Sequence, residues 1–368
     1  MNYLFFISRG KFGKVYRCLN KTDSEPYAVK MYTNVPFSEW AMVEQEISIL
    51  NEVKHDKLVT LVNVFRAKQN QAYLVFELVQ GGELFERVID EDFELTEDLC
   101  RSYMQQICQG VQYLHETLSV IHLDLKPENI VCTDKTGRFV KIIDFGLARK
   151  YSAQTPVKMM FGTPEFAAPE VLSFDPVTPA SDCWSLGVIC YVLLSGISPF
   201  QGDTDFSTIN NVANGHYDFD DPSFLEISDS AKDFIKGLLI KDGNSRRNVS
   251  DCMTHKWILG RSLSDILNMQ DAGVDAPEGD VSGTRSSTTF PATVDDAFYS
   301  FESQQQKRRS IVIDTTKLRT YLTTKKWRKV SLQIRAIKRL NKLCGLDGSG
   351  LNGAVMFLER IQQMATMV

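Results

Sequence analysis

The chain has no Cys-x-x-Cys pair and no cluster of histidines, and its eight cysteines stand apart at positions 18, 100, 108, 132, 183, 190, 252 and 344. A zinc site needs paired ligands at short spacing, and a small secreted scaffold needs a cysteine framework. Both classes are therefore disfavoured, and reduced thiols are expected. Long hydrophobic runs are also missing. The longest, Leu186 to Leu194, spans nine residues, against the ~20 that a membrane helix needs. Leu4-Phe5-Phe6-Ile7 is too short for a signal-peptide core, and no basic stretch precedes it. These absences point to a cytoplasmic protein without a membrane span.

What is present fits a globular chain: 368 residues, 43% hydrophobic and 24% charged, enough for roughly two domains. The charge is uneven. Residues 307–342 carry 13 Lys and Arg against the single acid Asp314, residues 343–368 carry −1, and the overall net charge of −5 then leaves −16 on residues 1–306. An acidic body with a basic tail admits a nucleic acid, a membrane, an acidic partner or the body itself as the tail's target.

Residues 3–33 alternate apolar and turn residues, which predicts strands. Two more are predicted at Leu58–Phe65 and Ala72–Leu78. Helical spacing covers 38–51, with Ser38 as candidate N-cap, and then 97–117, 179–195, 205–213, 228–239 and 248–258. Strands first and helices later predict a small sheet-rich lobe followed by a larger helical one. Residues 271–306, rich in Asp, Gly, Ser and Thr, read as a linker.

The chemistry lies in the first 258 residues. Arg9-Gly-Lys-Phe-Gly-Lys-Val15 sits between two predicted strands, where Gly10 and Gly13 would let backbone N–H groups approach phosphate. Lys30 ends the apolar run Tyr27-Ala-Val-Lys30, a costly place for a lone charge, and Glu46 on the next helix is its candidate partner. Further on come Asp124-x-Lys126-x-x-Asn129 and Asp144-Phe-Gly146. Phosphoryl transfer needs a carboxylate at the attacking hydroxyl, a cation on the moving group and oxygen ligands for Mg²⁺. Asp124, Lys126, and the pair Asn129 and Asp144 supply these in turn.

This ordered set, with Ala168-Pro-Glu170, resembles the protein kinase superfamily over residues 3–258. The resemblance implies an α+β bilobal kinase fold that uses ATP and Mg²⁺. It implies that Val15, Ala28 and Val131 sandwich adenine, with Phe76 as gatekeeper. The backbone of Glu77 and Val79 would meet the adenine edge, and Glu83 would meet the ribose or a basic substrate side chain. Glu170 and Arg246 resemble the family's buried pair, and Asp182 the residue bracing the catalytic loop. Lys126 and Gly162-Thr-Pro-Glu-Phe166 are similar to Ser/Thr kinases. Two positions depart from the pattern. Ser8 replaces the first phosphate-loop glycine, and Leu123 replaces the Arg that usually binds an activation-loop phosphate, so phosphate on Ser152 or Thr155 has no evident anchor.

His122 to Asn129, with Gly81-Gly-Glu-Leu-Phe85, narrows the resemblance to the myosin light-chain kinase group, which includes giant muscle kinases. In the tail, Trp327, Val330, Ile334 and Ile337 follow helical spacing, Leu340 lies further on, and basic residues fill the other faces. By physics alone this is a calmodulin target, a membrane-surface helix or a packed helix. The segment resembles the calmodulin-binding helix of smooth-muscle-type myosin light-chain kinases, with Trp327, Ile334, Ile337 and Leu340 as contacts.

The expected organisation is a catalytic domain over 1–258, an acidic linker over 259–306, a basic autoinhibitory segment over 307–326, a calmodulin-binding helix over 325–343, and an unassigned 344–368. The resemblance implies Ca²⁺-loaded calmodulin as partner, a myosin regulatory light chain as substrate and association with the cytoskeleton. It implies no nucleic-acid partner. The acids Glu83, Glu86, Asp90, Glu128, Asp218, Asp220 and Asp221 would favour a basic peptide. The alternatives are a pseudokinase scaffold and a death-associated type of calmodulin-dependent kinase.

Overall fold

The structure is a computed structural model that describes residues 5–9, 13–67, 70–152, 154, 156–159, 162–260 and 310–326. It divides into two compact units, one up to Thr315 and one from Thr316.

In the first unit, strands β1 (Phe5–Arg9), β2 (Lys14–Leu19), β3 (Pro26–Tyr32), β4 (Leu61–Ala67) and β5 (Gln71–Glu77) form one antiparallel sheet in the order β1-β2-β3-β5-β4. Alternation on β3 sends Val29 to one face, where it packs with Cys18 and Val75. Ala28, Lys30 and Tyr32 take the other face. Helix α1 (Phe37–Glu52) follows β3 and buries Val43, Ile47 and Leu50.

Two expectations change here. Helix α1 starts one residue before Ser38, and Pro36 occupies the cap position with no side-chain bond. The strand predicted from Leu58 begins only at Leu61. The preceding residues are drawn to the larger lobe instead: Val59 N–H donates to Ile142 O (3.0 Å) and Ile142 N–H to Lys57 O (2.9 Å).

The large lobe holds helices α2 (Leu84–Arg87), α3 (Glu97–Gln112), α4 (Pro169–Leu172), α5 (Pro179–Ser195), α6 (Asp205–Asn214), α7 (Asp229–Leu238), α8 (Val249–Met253) and α9 (Lys256–Leu259). The short strands β6 (Val120–Ile121), β7 (Ile130–Cys132), β8 (Val140–Ile142), β9 (Arg149–Lys150), β10 (Val157–Lys158) and β11 (Pro176–Val177) pair as β6–β9, β7–β8 and β10–β11. Helix α5 is the core. It is buried without a break from Ser181 to Ser195, opens on a Thr178–Ser181 capping box and closes on Gly196 at φ 74°.

The helix expected over 97–117 stops being α-helical at Gln112 and ends in one π turn, Tyr113–Thr117. The predicted helix 248–258 is two helices. Thr254 Oγ1 bonds back to Ser250 O and Asp251 O (3.4 and 3.2 Å), and His255 turns extended to cap the next helix through Trp257 N–H (3.2 Å).

Residues 310–313 form an edge that the sequence did not announce. Glu97 N–H donates to Ile311 O (2.9 Å), Ile313 N–H donates to Leu95 O (2.8 Å), and Thr96 bridges Val312 antiparallel. In the second unit, residues 316–326 are helical. Thr320 and Thr323 hydroxyls donate to Thr316 O and Arg319 O (3.1 and 2.8 Å), and Lys325 Nζ lies over the Tyr321 ring (4.9 Å).

Candidate active site

Lys30 sits on β3, whose other face is apolar, and its ammonium reaches across to two carboxylates. Its Nζ lies 2.8 Å from Glu46 Oε1 on α1 and 2.7 Å from Asp144 Oδ1. Tyr32, two residues along the same face, donates its hydroxyl to Glu46 Oε2 and is fully buried. Burial alone would lower the Lys30 pKa, but Asp144 and Glu46 outweigh it and hold the ammonium well above its ordinary value. The same Lys30 charge holds Asp144 down at about 2, so this carboxylate stays ionised. The expected pair is therefore a triad with a tyrosine behind it. Tyr32 had no sequence signal beyond its alternation with Lys30.

Gly13 has a packing reason. A Cβ there would come within 2.9 Å of Met31 O on the neighbouring strand. Val15 pairs with Lys30 across β2–β3, and Ala28 with Phe76 across β3–β5. Glu83 and Val131 form an antiparallel bridge. Glu77 Oε1 accepts from Thr60 N–H and Lys141 Nζ (both 2.7 Å), and Val79 is half-buried just beyond β5. Ser8 is in β1 opposite Val15, next to a bulge. Gly10 lies outside the described residues.

The second cluster follows β6. Lys126 Nζ donates to both oxygens of Asp124 (2.9 and 2.8 Å), and Asn129 Nδ2 donates to Asp124 O (2.8 Å) and Oδ2 (2.9 Å). The loop is held from below by Asp182 on α5. Its two oxygens accept the N–H groups of His122 and Leu123, each at 2.8 Å, and His115 Nε2 lies 2.8 Å from Oδ2. The π turn carries His115 into this contact. Burial would raise the Asp182 carboxyl, yet the His115 hydrogen bond and the imidazoles keep it below its ordinary value. Leu123 and Asp144 both adopt left-handed backbone, at φ 63° and 62°. Such conformations cost roughly 1–2 kcal/mol each in a non-glycine residue, and here they are held by these contacts.

Glu170 and Arg246 meet as a fork, at 2.9 and 3.2 Å, and the guanidinium lies over Trp184. Among the acids expected to face a basic peptide, Asp90 pairs with Arg87 (2.6 Å), Asp221 caps Ser223 N–H (2.8 Å), and Asp218 accepts from Asp220 N–H (3.0 Å). Glu128 Oε2 is buried with no hydrogen-bond partner among the described residues. Trp327, Ile334, Ile337, Leu340 and Thr155 lie outside the described residues.

The described cysteines are free and buried. Among the described residues, no group of three His, Cys, Asp or Glu fits a metal ion, and no helix is long and apolar enough to cross a membrane.

The family model of the protein kinase domain matches residues 3–258. The chain belongs to the protein kinase family, in its serine/threonine branch. This kinase is 41% identical to "Myosin light chain kinase, smooth muscle" of Gallus gallus over 342 residues, 93% of this chain and 16% of that one. It is 46% identical to "Titin homolog" of Caenorhabditis elegans over 265 residues, 72% of this chain and 1% of that one. The kinase thus spans only a small part of either relative. Its structure is similar to the autoinhibited serine kinase domain of the giant muscle protein titin, with a TM-score of 0.67, 33% identity and 87% of each chain covered. The two-lobed kinase fold expected from the sequence is the fold observed.

Proposed function

We propose that this chain is an active Ser/Thr protein kinase that transfers the γ-phosphoryl group of ATP to a basic-flanked hydroxyl of a myosin regulatory light chain. In this reading its basic tail inhibits it and Ca²⁺-calmodulin activates it. The observation that carries the catalytic part is the assembled Lys30–Glu46–Asp144 triad, at 2.8 and 2.7 Å. A chain kept only as a scaffold has no need to hold two buried charges and a half-buried third together at a desolvation cost.

Asp124 would accept the proton of the attacking hydroxyl. Lys126, bonded to both its oxygens, would neutralise charge on the moving phosphoryl group. Lys30, kept cationic, would hold the α- and β-phosphates. Asn129 spends its amide N–H groups on Asp124, which leaves Oδ1 as its ligand atom, and Asp144 is ionised; this oxygen pair fits a hard cation. Mg²⁺, when bound, would offset phosphate charge. The ATP phosphates would lie under Gly10 and Gly13, and adenine between Val15, Ala28 and Val131. The Glu77 N–H already donates to Thr60 O (3.1 Å), so a base amino group would meet the Glu77 carbonyl, with Val79 N–H beside it and Glu83 near the ribose.

The net charge of −16 on residues 1–306 supports a basic substrate. Similarity to smooth-muscle myosin light-chain kinase over 93% of the chain, tail included, supports the light-chain substrate and calmodulin control through Trp327, Ile334, Ile337 and Leu340. The autoinhibited titin kinase domain supports inhibition by the segment 307–326. Likeness to titin kinases also favours a second reading, a weakly active mechanical tether. A phosphorylation assay on isolated light chain separates them. The expected result is turnover that requires Ca²⁺-calmodulin and falls about 10²–10⁴-fold in Asp124→Asn. Absence of turnover with calmodulin present would favour the tether.

A further inference from the structure

Ser310 stands where the acidic body meets the basic tail, and it combines two properties. In the sequence it follows Lys307-Arg308-Arg309 and precedes Ile311. Bases before a serine and an apolar residue after it mark a segment that an acidic kinase groove can select. In the structure Ser310 opens the edge on the Leu95–Glu97 loop. Its Oγ accepts from Asp98 N–H (3.3 Å), and the next residues supply the Glu97–Ile311 and Ile313–Leu95 hydrogen bonds (2.9 and 2.8 Å).

We propose that Ser310 is a phosphorylation site for a kinase selecting basic residues before serine, and that its phosphate keeps residues 310–313 off the Leu95–Glu97 edge. The Ser310 oxygen attacks the γ-phosphorus of ATP. A P–O bond forms to Ser310, the bond to the β–γ bridging oxygen breaks, ADP leaves, and the hydroxyl proton passes to the acting kinase's carboxylate.

A half-buried, paired serine has to leave the edge to enter another active site, so phosphate is added to the released segment. Return is then opposed. The start of a helix ordinarily welcomes an anion, but this one has little left to give. Glu97 N–H is taken by Ile311 O, Leu99 N–H by Thr96 Oγ1 (3.2 Å) and Cys100 N–H by Thr96 O (2.9 Å), which leaves only Asp98 N–H. That first turn carries two acids: the Glu97 carboxylate is turned inward onto Ser228 N–H and Trp257 Nε1 (2.9 Å each), and the Asp98 carboxylate is exposed. Arg101, the basic residue of that turn among the described residues, is already paired with Asp98 (2.8 Å). Two added negative charges meet like charge at the edge.

The test uses the full chain with MgATP and the catalytic subunit of a cyclic-AMP-dependent kinase as probe enzyme. Phosphopeptides are mapped, and amide exchange is followed at Glu97 and Ile313, with Ser310→Ala in parallel. The expected result is phosphate on Ser310 and exchange faster by about tenfold or more at both amides, with Ser310→Ala as protected as the unmodified chain. No phosphate at Ser310 overturns the site. A phosphorylated chain with unchanged exchange overturns the release, and so does a Ser310→Ala chain that exchanges as fast as the phosphorylated one. None of these readouts needs the chain's own catalysis, so they stand apart from the function proposed above.

Discussion

At the scale of single residues, Leu123 carries the most information. Its N–H is bound to Asp182 Oδ1 at 2.8 Å, and its backbone is held left-handed beside the catalytic Asp124 proposed here. An arginine at this point could hold a phosphate on the activation segment, whereas leucine offers no charge. Other contacts order the segment: Tyr151 N–H donates to Ser119 O (2.7 Å), and β10 pairs with β11. The double variant Ser152→Ala, Thr155→Ala should therefore keep kcat/KM within about threefold, the scale of ordinary surface changes. A loss beyond a hundredfold, with an unchanged unfolding midpoint, would overturn this. Lys30, Glu46, Asp124 and Asp144 were legible in the sequence because a charge on an apolar strand or a fixed acid–amide spacing has few other uses. Tyr32 and His115 were not. Their roles depend on which buried carboxylate the fold brings near, and spacing along the chain does not encode that.

At the scale of elements, hydrophobic period was a good guide where packing agrees with it. Helix α5 has the bounds its pattern predicts because every turn is buried and both ends are capped. The predictions failed where a side chain or the other lobe intervenes, as at Thr254 and at Leu58. The anchoring of α5 leads to a contrast between two ion pairs. Arg246 is fully buried, forks onto Glu170 and donates to Ala180 O (2.6 Å). Arg66 pairs with Glu44 at 2.8 Å, but both side chains are exposed. Arg246→Ala leaves the half-buried Glu170 carboxylate with only the Ser181 hydroxyl (2.8 Å) and should cost ~3 kcal/mol. Arg66→Ala should cost under ~1 kcal/mol. Urea unfolding of both variants checks the pair, and equal shifts would mean that burial does not set the value of these bridges.

At the scale of the molecule, the −16 on residues 1–306 and the +12 on residues 307–342 underlie the regulation proposed above. The composition was legible from the sequence. The edge at 310–313 was not, because the short run Ser310-Ile-Val-Ile313 looks like many other loops. That edge decides where a truncation can be made. Ending the chain after Ile313 keeps both backbone bonds to Leu95 and Glu97 and removes residues 314–326, the larger part of the segment proposed to inhibit. The truncated chain should phosphorylate light chain without calcium, at a rate matching the full chain with Ca²⁺-calmodulin. Inhibition that draws on opposite charge is screened beyond ~8 Å at physiological ionic strength. The calcium-free activity of the full chain should therefore rise with added salt, while that of the truncated chain stays flat. If the truncated chain still required calcium, or both chains responded alike to salt, the basic tail would not be the inhibitor.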